Sequence, residues 1–130
     1  MSNELVNVSN ADFSAAAYQD GSRINARLKG NADVSALDAI ARLLVQVHAE
    51  ATRLGIEETI VDLRELEFMN SSCFKGFVTW ISNIQTLDSD RQYKVKFLSN
   101  PAMHWQKRSL HALRCFAVEL ITVEACGVRG

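Results

Sequence analysis

From Arg23 to Lys29 the chain alternates. Ile24, Ala26 and Leu28 fall on one side, and Arg23, Asn25, Arg27 and Lys29 on the other. A period of two marks a strand with one buried face. Ser14 to Tyr18 is small and weakly apolar, and Gln19–Asp20–Gly21–Ser22 between the two segments is a turn signal, so the pair reads as a hairpin. Gly30–Asn31–Ala32–Asp33 ends the alternation, and Ser35 with Asp38 matches a capping box, in which a hydroxyl and a carboxylate satisfy first-turn N–H groups. Leu37, Ile40, Ala41, Leu44, Val47, His48 and Ala51 then recur at helical spacing, with Gly55 placed to close the helix.

The second half repeats the alternation of strand and helix. Thr59 to Leu63 is a short β-branched run that suits a strand buried on both faces. Phe74, Phe77, Val78, Ile81 and Ile84 form the stripe of a second helix, which Asp88–Ser89–Asp90 ends. Tyr93 to Leu98 alternates as a strand, with Tyr93, Val95 and Phe97 on one face. Asn100–Pro101 predicts the cap and first position of a third helix reaching about Arg114, and Ala117 to Thr122 predicts a last strand. The order β-β-α-β-α-β-α-β implies right-handed crossovers and a mostly parallel sheet, with the hairpin as an antiparallel edge.

Length and composition narrow the class. A chain of 130 residues suits one domain, and the sequence shows no linker, repeat or low-complexity stretch; residues 1–12 are expected to be a loose segment or a short edge strand. The net charge of −1 gives no bulk electrostatic reason to expect nucleic acid or an anionic membrane. There is no membrane-length apolar run, and Met1 to Asn10 lacks the pattern of a signal peptide. Cys73, Cys115 and Cys126 are odd in number and lack C-x-x-C spacing, which points to reduced thiols and to no bound metal.

Candidate chemistry concentrates in Glu67–Gly76, "EFMNSSCFKG", where a strand gives way to a helix. Asn70, Ser71 and Ser72 are all good capping residues. In open α/β folds this end of the sheet is the working surface, and the free N–H groups of a first helical turn favour an anion such as a phosphate. The residues alone leave three roles open: cap, nucleophile, or target of another protein's chemistry. A nucleophilic Cys73 would need a base, and no spacing brings His48, His104 or His111 to it; no G-x-S-x-G elbow or phosphate loop is present. His104, Lys107, Arg108, His111 and Arg114 form a basic stripe on the third helix, read as a solvated face or a surface for an acidic partner. Trp105 beside it is a candidate contact, Trp80 fits either core or interface, and Asp62 reads as a structural group facing the loop after its strand.

The element order, and "TIVDLRELEFMNSSCFKGFVTWI" in particular, resembles the STAS domain of bacterial anti-sigma-factor antagonists. In that family a strand ending in Asp-Leu is followed by an apolar pair and by Asp-Ser-Ser-Gly opening a helix. Asp62–Leu63, Phe68–Met69 and Ser71–Ser72 match these parts, and Gly30 to Asp33 matches the family's Gly-x-x-Asp turn. The resemblance runs from about Ser14 to Thr122. It implies an α/β fold with a central, mostly parallel mixed sheet of four to five strands and three helices, as a single domain over residues 1–130.

It also implies a protein switch and not an enzyme. Family members bind an anti-sigma factor that is a serine kinase; the kinase phosphorylates the second serine of the motif, and a phosphatase reverses it. The resemblance therefore implies phosphorylation at Ser72, with Ser71 as second choice, and a partner surface of Asp33, Asn70, Ser71, Ser72, Cys73 and Lys75. It implies no cofactor, no nucleic acid, no membrane, a cytoplasmic location, and a monomer or weak homodimer. The alternative is an unphosphorylated STAS-like module serving as a constitutive subunit of a larger assembly. The sequence departs from the family at Asn70, where Asp is usual, and at Cys73, where Gly leaves room for an approaching partner.

Overall fold

The computed structural model describes residues 2–125. Its order is β1 (Ser2–Asn10), β2 (Phe13–Asp20), β3 (Arg23–Ala32), a 3₁₀ turn (Val34–Ala36), α1 (Leu37–Leu54), β4 (Glu58–Met69), α2 (Ser71–Gln85), β5 (Lys94–Ser99), α3 (His104–Phe116) and β6 (Ile121–Ala125). Among the described residues the sheet has six strands in the order β1-β2-β3-β4-β5-β6. β1, β2 and β3 pair antiparallel, and β3 through β6 pair parallel. The expected mixed α/β sheet is present, with one strand more than the upper expectation.

The extra strand is β1, within the segment expected to be loose or a short edge strand; it is the edge strand of the sheet. It pairs with β2 along its whole length, interrupted by one register shift between Glu4 and Val6. Two other boundaries move. β4 continues to Met69, well past Leu63, and β6 starts at Ile121, after a turn in which Leu120 N–H donates to Ala117 O. Cys126 lies outside the described residues.

Each parallel crossover steps to the next strand in the same direction, so right-handed connections put all three helices on one face. Burial follows that rule. On β4, Thr59, Val61 and Leu63 are buried, while Ile60, Asp62 and Arg64 between them are only half-buried. The expectation of a strand buried on both faces is thus corrected: parallel pairing here covers one face. The other face carries charge pairs, including Arg27 with Glu65, Arg64 with Asp62, and Lys96 with Glu124. Asp62 therefore faces the open side from mid-strand, not the loop. Burial works to raise its pKa, and the hydrogen bonds and charge of Arg64 outweigh that, so its carboxyl lies below the usual range.

The core lies between helices and sheet. Phe77, Ile81 and Ile84 of α2 meet Leu43 and Val47 of α1 and the inward residues Ile24, Leu28, Leu63 and Phe97 in one cluster. Side chains of this size each contribute about 2 kcal/mol when fully buried. The inward face of α1 is Ala39, Ile40, Leu43, Leu44, Val47 and Ala51; Ala41 is exposed and His48 sits at the rim, a small rotation from the expected face. Gly55 closes α1 in the left-handed region, at φ 65 and ψ 41, as expected of a C-cap glycine. Trp80 is core, with Nε1 donating to Tyr93 Oη at 2.9 Å.

Two predicted caps are replaced by others. Asp33, not a Ser35–Asp38 box, caps the 3₁₀ turn before α1, and the N-cap of α1 itself is Ala36, without a side-chain bond. Asn100 caps a turn, accepting from Ala102 N–H at 2.9 Å, and α3 starts four residues later behind Met103. Gln106 anchors that helix. β4 and β5 pair only as far as Asp62 and Leu98, and the fully buried Gln106 amide donates to the β4 carbonyls of Leu63 at 2.6 Å and Leu66 at 3.0 Å. No helix among the described residues is long and apolar enough to cross a membrane.

Candidate functional site

β3 and β4 are neighbours, and their carboxyl ends finish together, with Ala32 level with Met69. Asn70 N–H donates to Ala32 O at 2.8 Å, extending the ladder by one step. Asp33 and Asn70 then leave the sheet side by side, and each caps the helical turn after it. Asn70 is extended, at φ −65 and ψ 150, and its Oδ1 accepts from Ser72 N–H at 2.8 Å. Asp33 accepts from Ser35 N–H at 2.9 Å and from the Ser35 hydroxyl. Both are short side chains returning to the backbone two residues on, the usual chemistry of an N-cap.

The sequence-predicted residues are brought together, with one exception. Ser71 and Lys75 are exposed, and Asp33, Asn70 and Ser72 are half-buried. Cys73 is fully buried, and its thiol donates to Asp33 O at 3.5 Å. The expectation that Cys73 presents a side chain to a partner is corrected: the helical phase of α2 turns it inward, one turn before Phe77. Burial pushes its thiol pKa up, and the Asp33 charge pushes the same way. A thiol so held is a poor nucleophile at neutral pH.

The electrostatics of the turn are mixed. The Ser35 hydroxyl, then the Ser35 N–H, hold the Asp33 carboxyl below its ordinary range against a small opposing effect of burial. Asp33 is thus a carboxylate at neutral pH beside the positive end of α2. The first-turn N–H groups of Ser71 and Cys73 have no acceptor among the described residues. Lys75 makes no ion pair among the described residues.

Three further residues lie near these turns and are not among the site residues expected from the sequence. Val34 is 65% exposed and Phe68 is 45% exposed, on either side of the polar turns. Asn10, at the end of β1, donates to the Ser35 carbonyl and to Ser35 Oγ at 3.1 Å, tying the edge strand to the site. Phe68 has a signal, since it and Met69 interrupt an otherwise polar stretch; Asn10 has none, because its contact spans a distance in sequence that no local pattern encodes.

A crystal structure of an anti-sigma factor antagonist from Mycobacterium paratuberculosis superposes on the chain with a TM-score of 0.64. The match covers 89% of each chain. The fold is STAS-like. Sequence identity across the match is 14%, so the likeness is one of architecture. No protein-family model matches the chain, and no curated protein matches it in sequence.

Proposed function

We propose that this chain is a protein-interaction switch of the anti-sigma-factor-antagonist type. It binds an anti-sigma factor with serine-kinase activity through the surface where β3 and β4 end. A phosphate on the Asn70–Ser71–Ser72 turn weakens that complex, and a phosphatase restores it. Such a switch is cytoplasmic, with no chemistry of its own and no cofactor.

The observation that carries the reading is the Asn70-capped first turn of α2, with two serines at the working end of a STAS-like sheet. Phosphorylation adds about −1.5 to −2 charges at neutral pH. Placed on Ser71 or Ser72, that charge meets free N–H groups within the chain, and it opposes an anionic or apolar partner through repulsion and desolvation. Ser72 is the site expected from the resemblance. Ser71, the second choice, is exposed, and Ser72 is half-buried with its N–H held by Asn70. The reading places the phosphate on this pair of serines, Ser72 first and Ser71 second.

The constitutive-subunit reading is favoured by one feature. Asn70 commits its carboxamide oxygen to the cap and brings no charge that could orient a serine hydroxyl. Intact-mass and fragment-ion analysis of the chain from its native cells separates the two. One added phosphate on Ser71 or Ser72 supports the switch. Complexes of equal strength for wild type, Ser71→Asp and Ser72→Asp, with no phosphate found, establish the subunit instead.

A further inference from the structure

α3 presents a charged face that the loop surface does not use. His104, Lys107, Arg108, His111 and Arg114 are all exposed. At 3.6 residues per turn they fall within about a third of the helix circumference. The opposite face is anchored by Gln106, Leu110 and Leu113. No carboxylate among the described residues pairs with any of the five, and the helix itself contains no acidic residue.

This arrangement works against the start of the helix. Lys107 lies at the end of the first turn of α3, where the macrodipole disfavours a cation. There is no acidic residue in the first turn and no side-chain cap at Met103. By contrast α1 has Asp38 in its first turn, while both helices place an arginine in the last turn, Arg53 in α1 and Arg114 in α3, as the dipole prefers. A local rule broken on one helix and kept on another marks a surface held for something outside the chain.

One flank of the stripe is apolar. Trp105, Ala112 and Phe116 align along it; Ala112 is exposed and Phe116 is 45% exposed, while Trp105 is half-buried against the core, its Nε1 buried and without an acceptor among the described residues. We propose that α3 docks an acidic protein segment carrying apolar side chains, with carboxylates on Lys107, Arg108 and Arg114 and apolar groups against Trp105 and Phe116. Charge complementarity selects the partner's sign. The apolar flank and the chain's net charge of −1 favour a protein segment over nucleic acid, whose binders are basic as whole domains.

The test uses the full chain and a fluorescein-labelled peptide of Glu-Glu-Leu repeats, followed by fluorescence anisotropy. Binding should weaken as salt rises, and should fall at least about tenfold in a variant combining Lys107→Glu, Arg108→Glu and Arg114→Glu. Phe116→Ala should weaken it by several-fold, with circular dichroism and melting showing both variants folded. A peptide of glutamates alone should bind less well than the Leu-bearing one. The proposal is overturned if the peptide does not bind, if the triple variant binds it unchanged, or if duplex DNA or phosphatidylserine vesicles compete more strongly than unlabelled peptide.

Discussion

The thiol of Cys73 donates to the carbonyl of Asp33 across 3.5 Å, joining the turn after β3 to the first turn of α2. The segments that follow β3 and β4 are therefore one unit, held by a fully buried residue. In the folded chain Cys73 should resist iodoacetamide while the exposed Cys115 is modified. Peptide mapping after a short pulse checks this. Equal labelling of Cys73 and Cys115 under native conditions would contradict the buried placement.

Asn70 holds the other half of that unit. Asn70→Ala removes the acceptor for Ser72 N–H and should lower stability by about 1 kcal/mol, read from urea unfolding. Asn70→Asp keeps the cap, adds favourable charge at the helix start, and should be at least as stable as wild type. A loss in Asp as large as in Ala would show that Asn70 acts through something other than its cap.

Stability should depend on pH through His48. Tyr93 Oη accepts from Trp80 Nε1, so its own proton is best directed to His48 Nδ1, 2.6 Å away. That bond needs neutral His48, and burial holds the His48 pKa below its ordinary value. The unfolded chain then binds more protons than the folded one below about pH 6.5, so stability is complete above that pH and falls as pH drops toward the folded pKa. Urea midpoints at pH 5.5 and pH 7.5, conditions on either side of about 6.5, should differ more in wild type than in His48→Gln. An equal pH response in the two proteins would assign the effect to other groups.

Two buried polar residues should respond to substitution in opposite ways. Thr59 Oγ1 is buried with no partner among the described residues, so Thr59→Val should be neutral or stabilising by up to about 1 kcal/mol. Gln106→Leu leaves the Leu63 and Leu66 carbonyls and the Asn100 N–H without the amide, and should cost about 2–4 kcal/mol. Denaturation midpoints of the two variants should move in opposite directions, or only the second should move.

Gly30 is required by its neighbour across the sheet. Its φ is +92, and a Cβ there would stand 2.0 Å from the Asp12 carbonyl oxygen. That atom is backbone and cannot swing away, so Gly30→Ala should lose at least about 2 kcal/mol. Thermal melting should show the loss. A melting temperature within error of wild type would mean that the β1–β2 turn yields without cost.

The elements that are legible in the sequence share regular local periods. Arg23–Lys29 and Lys94–Leu98 announce their inward faces because the first pairs with β2 and the second with β4 without a register shift over those residues. β1 is obscure because it is an edge strand whose shift between Glu4 and Val6 breaks the alternation. The far end of β4 is hidden for a similar reason: Arg64 and Glu65 are adjacent and both half-buried, where the β3 register shifts. At the site, Asn70 is legible because capping is local. The inward turn of Cys73 is also encoded, in the spacing of Cys73, Phe77, Trp80, Ile81 and Ile84, but its place beside two serines points to chemistry before packing. The Asn10–Ser35 and Gln106–Leu63 bonds join residues far apart in sequence, and no local pattern records them.

The two tryptophans sit in contrasting optical environments. Trp80 is 2% exposed and hydrogen-bonded within the α2–β5 core, so its indole should emit toward the blue and shift only when the chain unfolds. Trp105 is half-buried on the α3 flank, where a bound molecule would change its solvent shell or quench it. With Trp80 replaced by Phe, the remaining signal would belong to α3 alone. The chain thus carries its own pair of lamps, one inside the fold and one at its surface, and needs no attached dye to tell folding from contact.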